Sequence, residues 1–190
     1  MERLMPLLLL PPPYYFFLFK NQDCLFELHE TYPKQTLRNR FFIVSSQGVM
    51  RVSIPVKRQG NKKSIHVEID YAQNWIGPLK QSLDTCYNAS PYFLYYKDAL
   101  WQIFDSKPRF LFQLNLSLFH WCIGILGFEK DIHFTKKFEG PCKEIEWPLP
   151  KQAYAQVFDK KPQPEISVID LLFNLGPESE AFLKNAYTSS

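Results

Sequence analysis

The sequence is short of the signatures that name most enzymes. Its seven glycines form no GxxxxGK[ST] loop, no GxGxxG turn and no GxSxG elbow, which excludes the commonest phosphate cradles and the serine-hydrolase route, but leaves nucleotide binding through arginines open. The four cysteines, Cys24, Cys86, Cys122 and Cys142, stand in no CxxC or Cys-His cluster, against a structural zinc site or a disulfide framework. A cysteine nucleophile would have to be Cys24 or Cys142, and neither has a supporting neighbour in sequence. No two of the four histidines have metal-ligand spacing, so no metal is expected, and no motif calls for a cofactor. The net charge is only +3, with Lys and Arg spread along the chain, so no basic stripe invites nucleic acid.

Unbroken apolar runs are also missing. Pro11 to Pro13 interrupt the leucine-rich opening stretch, and Gln113, Asn115 and His120 interrupt Arg109 to Phe128. Neither reads as a membrane span. The opening stretch, with no small-residue cleavage site after it, reads as a buried strand running into a helix.

What is present is a globular composition: 46% hydrophobic and 16% aromatic residues over 190 positions. That is enough for one sizeable core, so a single domain over 1–190 is expected, in a reducing cytoplasm. The first third alternates with the period of strands. Met5 to Leu10 is a continuous apolar run, "CLFELH" alternates, and "RFFIVSS" and "VMRVSIPV" flank a turn at Gln47-Gly48, the pattern of a hairpin. "KRQGNKKS" reads as a solvated loop, and Ile65, Val67 and Ile69 predict a further strand. From Trp75 onward the period is helical: Leu79, Leu83, Cys86 and Tyr87 share a face, and Ser90-Pro91 and Ser106/Pro108 predict two more helix starts. "DIHFT" predicts a short strand, and Ser167 predicts the cap of a helix that stops at Gly176. The order is that of an α/β domain, with α+β as the alternative: a mixed β-sheet from the N-terminal third, packed by helices of the middle and C-terminal parts.

The stretch "HETYPKQTLRNRFF" carries the sharpest candidate chemistry. On extended segments Glu27 and His29 share one face, while Arg38 and Arg40 share another with Asn39 pointing away. An acid-histidine pair beside a guanidinium would deprotonate an amine or hydroxyl and hold a phosphate or carboxylate. A salt bridge pinning a loop is the plain alternative. Tyr154, Gln156, Asp170 and Asn174 bring polar groups into an apolar C-terminal segment, with Asp170 and Asn174 one helical turn apart. A sugar or amine pocket and ordinary helix capping explain them equally well.

Taken in order, the proline-ended first strand, "RNRFFIVSSQG", "VSIPV", "YNASPYF", "ILGFEKDI", "YAQVF" and "ISVIDLLFNLGPE" resemble the WbqC-like protein family of bacteria. The matching positions include Asn39, Arg40, Tyr87, Pro91, Tyr154, Gln156, Asp170 and Asn174. This chain departs from many relatives after Trp75, where "IGPLK" stands in place of a polar or His-Trp pair, and it is shorter before "YAQVF". The resemblance implies a place in O-antigen and other surface-polysaccharide biosynthesis. It also implies acyl or aminoacyl transfer, of the glycyl type, to a nucleotide-linked amino sugar. His29 and Glu27 would then be catalytic, and Arg38, Asn39, Arg40, Tyr154, Gln156, Asp170 and Asn174 would bind substrate. The expected partners are the nucleotide or amino sugar, an acyl donor and other polysaccharide-biosynthesis proteins. The alternative is a non-catalytic scaffold of such an assembly, with Tyr92, Tyr95 and Tyr96 as its contact surface.

Overall fold

The proline triplet that breaks the opening apolar run is where a strand gives way to a helix. In the computed structural model, which describes residues 2–57, 60, 62–158 and 163–188, β1 (Arg3–Pro6) ends at a proline that has no N–H to continue a ladder. Helix α1 (Pro13–Asn21) starts with proline in its first turn, where the missing donor costs nothing. The chain then returns as β2 (Cys24–Glu27), parallel to β1 in the register Arg3 to Cys24 through Pro6 to Glu27. "DIHFT" supplies β5 (His133–Phe134), parallel to β2 on its other side. The strand order is therefore β1-β2-β5.

The hairpin forms as its alternation predicts. Strands β3 (Arg40–Ser45) and β4 (Gly48–Ser53) pair antiparallel, with Gly48 at φ +118° just past the two-residue turn. So the α/β class holds, with parallel and antiparallel strands divided between two sheets and the third parallel strand drawn from beyond the N-terminal third. The chain before α5 runs alongside β3, where the Ser167 N–H donates to the Phe42 carbonyl at 2.8 Å.

The expected strand over Ile65 to Ile69 is corrected. Ser64–His66 is a turn of 3-10 helix, followed only by isolated bridges, Val56 to Ile69 and Glu68 to Phe110. Of the loop before it, Arg58, Gln59 and Asn61 lie outside the described residues.

Three helices cover the middle of the chain: α2 (Ile76–Tyr87), α3 (Phe93–Asp105) and α4 (Leu111–Ile125). Two begin later than the Ser-Pro signals predict. The Tyr92 N–H is spent on the Phe173 carbonyl, 3.0 Å away. Phe110 is extended, and the Gln113 side chain accepts from its N–H at 3.1 Å. Helices α5 (Val168–Leu175) and α6 (Ser179–Tyr187) close the fold, with Ser167 capping α5 as expected. Phe119 of α4 joins these layers: its ring stands 5.0 Å from Phe19, 5.2 Å from Phe16 and 5.3 Å from Phe26, within the range of favourable aromatic pairing. No helix among the described residues is long and apolar enough to cross a membrane.

Candidate functional site

In open sheets with parallel strands, ligands gather outside the carboxyl ends of the strands. Here those ends bring Pro6, Glu27 and Thr135 together. Glu27 is fully buried, and its carboxylate accepts from the backbone N–H of His29 (2.5 Å), from the Thr135 hydroxyl (3.2 Å) and from the backbone N–H of Glu139 (2.9 Å). Among the described residues no hydrogen bond joins it to the His29 ring. Strand β2 ends at Glu27, so the alternation that would set the two side chains on one face stops, and the carboxylate turns back onto the backbone. The His29 Nε2 lies 3.1 Å from the Thr135 carbonyl. A carbonyl only accepts, so Nε2 carries a proton, and in the neutral tautomer the lone pair is on Nδ1.

Arg38 is buried and pairs with Glu30, one residue beyond His29. Its guanidinium also donates to Thr36 Oγ1 at 2.8 Å, and the same oxygen accepts from the Arg38 N–H at 3.2 Å. Glu30 receives the Cys142 thiol at 3.8 Å as well. Burial first, and Glu30 next, push that thiol up to about 12, so Cys142 stands as a neutral thiol and not as a nucleophile.

Beside this group opens a cavity of about 340 Å³. Pro6 and Leu8 place it at the carboxyl end of β1, and Lys34, Arg38, Lys143, Glu144 and Trp147 give it its chemistry. Glu30 pairs with Arg38, and the exposed Lys34 and Lys143 stand on the same wall as the Glu144 carboxylate. Sequence reasoning missed both lysines and Trp147. The available signal was the proline-spaced irregular stretch "GPCKEIEWPLP": long segments without regular structure in a compact fold are often binding loops.

Asn39 and Arg40 have separate placements. The Asn39 side-chain amide donates to the Ile54 carbonyl at 2.9 Å while the Asn39 backbone carbonyl accepts from the Ile54 N–H at 2.8 Å, which closes the open end of the hairpin. Arg40 starts β3, and its Nε is buried with no partner among the described residues. Burial pushes the Tyr32 hydroxyl up to about 12, against the pull of the Arg38 and Arg40 guanidiniums.

Tyr154, Gln156, Asp170 and Asn174 do come together, about a centre of their own. Asp170 is 1% exposed. It accepts from the Tyr154 hydroxyl (2.7 Å), the Gln156 amide (2.6 Å) and the Tyr87 hydroxyl (2.9 Å), and the Asn174 amide donates to its backbone carbonyl at 2.8 Å. Burial raises the Asp170 carboxyl above its usual range, opposed by Gln156, Tyr154 and Tyr87 in that order. These groups satisfy one another, as an internal brace between α2, α5 and the chain before α5. Tyr87 belongs to the brace although its place in a helix stripe marks it only as core; a buried tyrosine hydroxyl needs an acceptor, and that was the signal.

No curated protein and no solved structure matches the chain. A family model, described as the WbqC-like protein family, matches residues 8–150. That range takes in the hairpin, the carboxyl ends of β2 and β5 and the cavity wall apart from Pro6, and it stops before Tyr154. By a match over well more than half its length, the chain belongs to the WbqC-like protein family.

Proposed function

We propose that the chain binds a small anionic ligand, of sugar-phosphate size, in the cavity at the carboxyl end of β1. We further propose that it serves acyl or aminoacyl transfer, of the glycyl type, to a nucleotide-linked amino sugar in cytoplasmic surface-polysaccharide assembly. The observation that carries the reading is the cavity itself. Its volume of about 340 Å³ lies in the range of small-molecule sites, and Lys34, Lys143 and the Trp147 ring line it, with one carboxylate, Glu144, and the Glu30-paired Arg38 on the same wall.

In this reaction the sugar amine forms a bond to the acyl carbon, the bond from that carbon to the donor's carrier breaks with its electron pair, and a base takes the amine proton. His29, which lies off the cavity wall, is the base we assign, through Nδ1, with Glu27 fixing the backbone that presents it. Lys34 and Lys143 hold the anion, Arg38 adds its guanidinium from the same wall, and Arg40, which does not border the cavity, is assigned no contact with it. Asn39, Tyr154, Gln156, Asp170 and Asn174 support this site by holding the hairpin and α5 in place. The His29→Ala variant then loses about 100-fold or more in kcat with ligand affinity kept; equal losses in both would remove the base assignment.

The test is a thermal-shift screen of nucleotide sugars, amino sugars and acyl donors on wild type and on the Lys34→Ala/Lys143→Ala double variant. A ligand at a hundred times its Kd adds about 2.7 kcal/mol, or roughly 5 to 11 °C for a chain of this size. Both lysines are exposed, so the double variant folds, and the shift shrinks or vanishes in it. Absence of a shift with every ligand favours a second reading, a scaffold protein. Its support is the start of α3, where Leu94 is 57% and Tyr95 81% exposed.

A further inference from the structure

Three buried side-chain atoms behind Arg38 lack a hydrogen-bond partner among the described residues: the Tyr32 hydroxyl, Ser64 Oγ and Asn115 Oδ1. They come from the loop after β2, the 3-10 turn and the middle of α4. All three residues border one small cavity of about 10 Å³, which Glu27 and Arg38 also border. Unpartnered buried polar groups are rare because each loses its hydration without compensation. Three around one cavity point to a common partner.

The chemistry of that partner follows from Asn115. Its Nδ2 donates to two carbonyls, Leu7 at 3.2 Å and Arg38 at 2.8 Å. A flipped amide would set Oδ1 against two acceptors, so the orientation is settled. Oδ1 is left needing a donor, whereas the two hydroxyls can donate or accept. The partner must therefore both donate and accept.

Size and charge narrow it further. The space is about that of a single water-sized sphere, too small for a phosphate. A cation would meet the Arg38 guanidinium and find the Glu27 carboxylate already engaged by three donors. We propose that this cavity is a built site for one water molecule, which accepts from the Tyr32 and Ser64 hydroxyls and donates to Asn115 Oδ1. The water ties the three segments together. Through Asn115 it steadies the carbonyls of Leu7 and Arg38, next to the wall of the larger cavity, whatever ligand that cavity takes.

A crystal structure at about 1.5 Å resolution tests the site directly. One peak within about 3.2 Å of all three atoms is expected, and a cavity without density overturns the proposal. Conservative variants give an independent sign. With the water present, Tyr32→Phe and Ser64→Ala each remove a made hydrogen bond, and the Tm falls by about 2 to 4 °C. With a dry cavity the same changes relieve an unpaired hydroxyl, and the Tm holds or rises; that result in either variant also overturns the proposal.

Discussion

Replacing Asp170 by alanine tests whether the residues around it brace the fold or hold a substrate. The side chain is 1% exposed and accepts three hydrogen bonds, from Tyr87, Tyr154 and Gln156. Alanine strands all three donors. At about 1 kcal/mol or more for each, the loss is about 3 to 5 kcal/mol. A chain of this size loses roughly 2 to 4 °C per kcal/mol, so the Tm falls on the order of 10 °C. Asparagine behaves differently. Its Oδ1 still accepts from Tyr154 and Gln156, the Tyr87 hydroxyl rotates to accept from Nδ2, and a buried charge disappears.

The comparison with asparagine carries a pH signature. Burial raises the Asp170 carboxyl above its usual range, so the folded chain keeps this proton to higher pH than the unfolded chain, whose aspartates titrate near about 4. The contribution of the protonated acid is complete below about pH 4 and is lost as pH rises through the folded value. The Tm of Asp170→Asn relative to wild type therefore rises across that window and then levels off, as scanning fluorimetry over a pH series would show. Melting of Asp170→Ala within about 2 °C of wild type, or equal losses for alanine and asparagine, would refute the brace. A substrate-orienting Asp170 would instead keep its Tm and lose ligand.

Gly176 takes φ +52°, and a Cβ there would stand 2.5 Å from Tyr92 Cδ1, so Gly176→Ala costs about 2 kcal/mol or more in denaturant melts. Combining it with Tyr92→Ala recovers part of that loss, which a purely backbone strain would not allow. The Lys130 ammonium donates to the carbonyls of Phe19 (2.7 Å) and Gln22 (2.6 Å) at the end of α1; Lys130→Met costs about 1 to 2 kcal/mol, with the loss in hydrogen-exchange protection concentrated in the last turn of α1. Hydrogen bonds from Lys57 and then Arg109 pull the Glu68 carboxyl down to about 2. Its stabilising contribution is thus present above the ordinary glutamate value and is lost as pH falls toward 2; carbon NMR should find that low midpoint, and 1 M salt should raise it. Alkylation by iodoacetamide at pH 8 should leave Cys142 largely unmodified, since its thiol is held near 12; rapid labelling would contradict the neutral-thiol assignment.

Local pattern made the hairpin, the three middle helices and the capped α5 legible, because each is decided by neighbours within a few residues. Ser167 accepts from Ile169 two positions on, and Gly176 ends the same helix. The reading failed where burial alternates without a ladder. Ile65, Val67 and Ile69 point inward, yet their backbone bonds go to Leu28, Leu111 and Arg109 and not to a neighbouring strand. A period of two reports which side chains are buried, not what their N–H and C=O groups meet.

By itself the sequence determined the class of the fold, the order of most of its elements and the residue types able to hold an anion, since these follow from side-chain period, capping and composition. Only the tertiary structure decided which partners those residues take. Arg38 goes to Glu30 and not to Glu27, and Asp170 goes to three internal donors. The cavity wall joins Lys34 and Arg38 to Lys143 and Trp147, in a region where Cys142 and Glu30 meet across 112 positions of chain. Buried charges take whatever opposite charge or donor the packing of distant segments delivers, and no local period encodes that delivery.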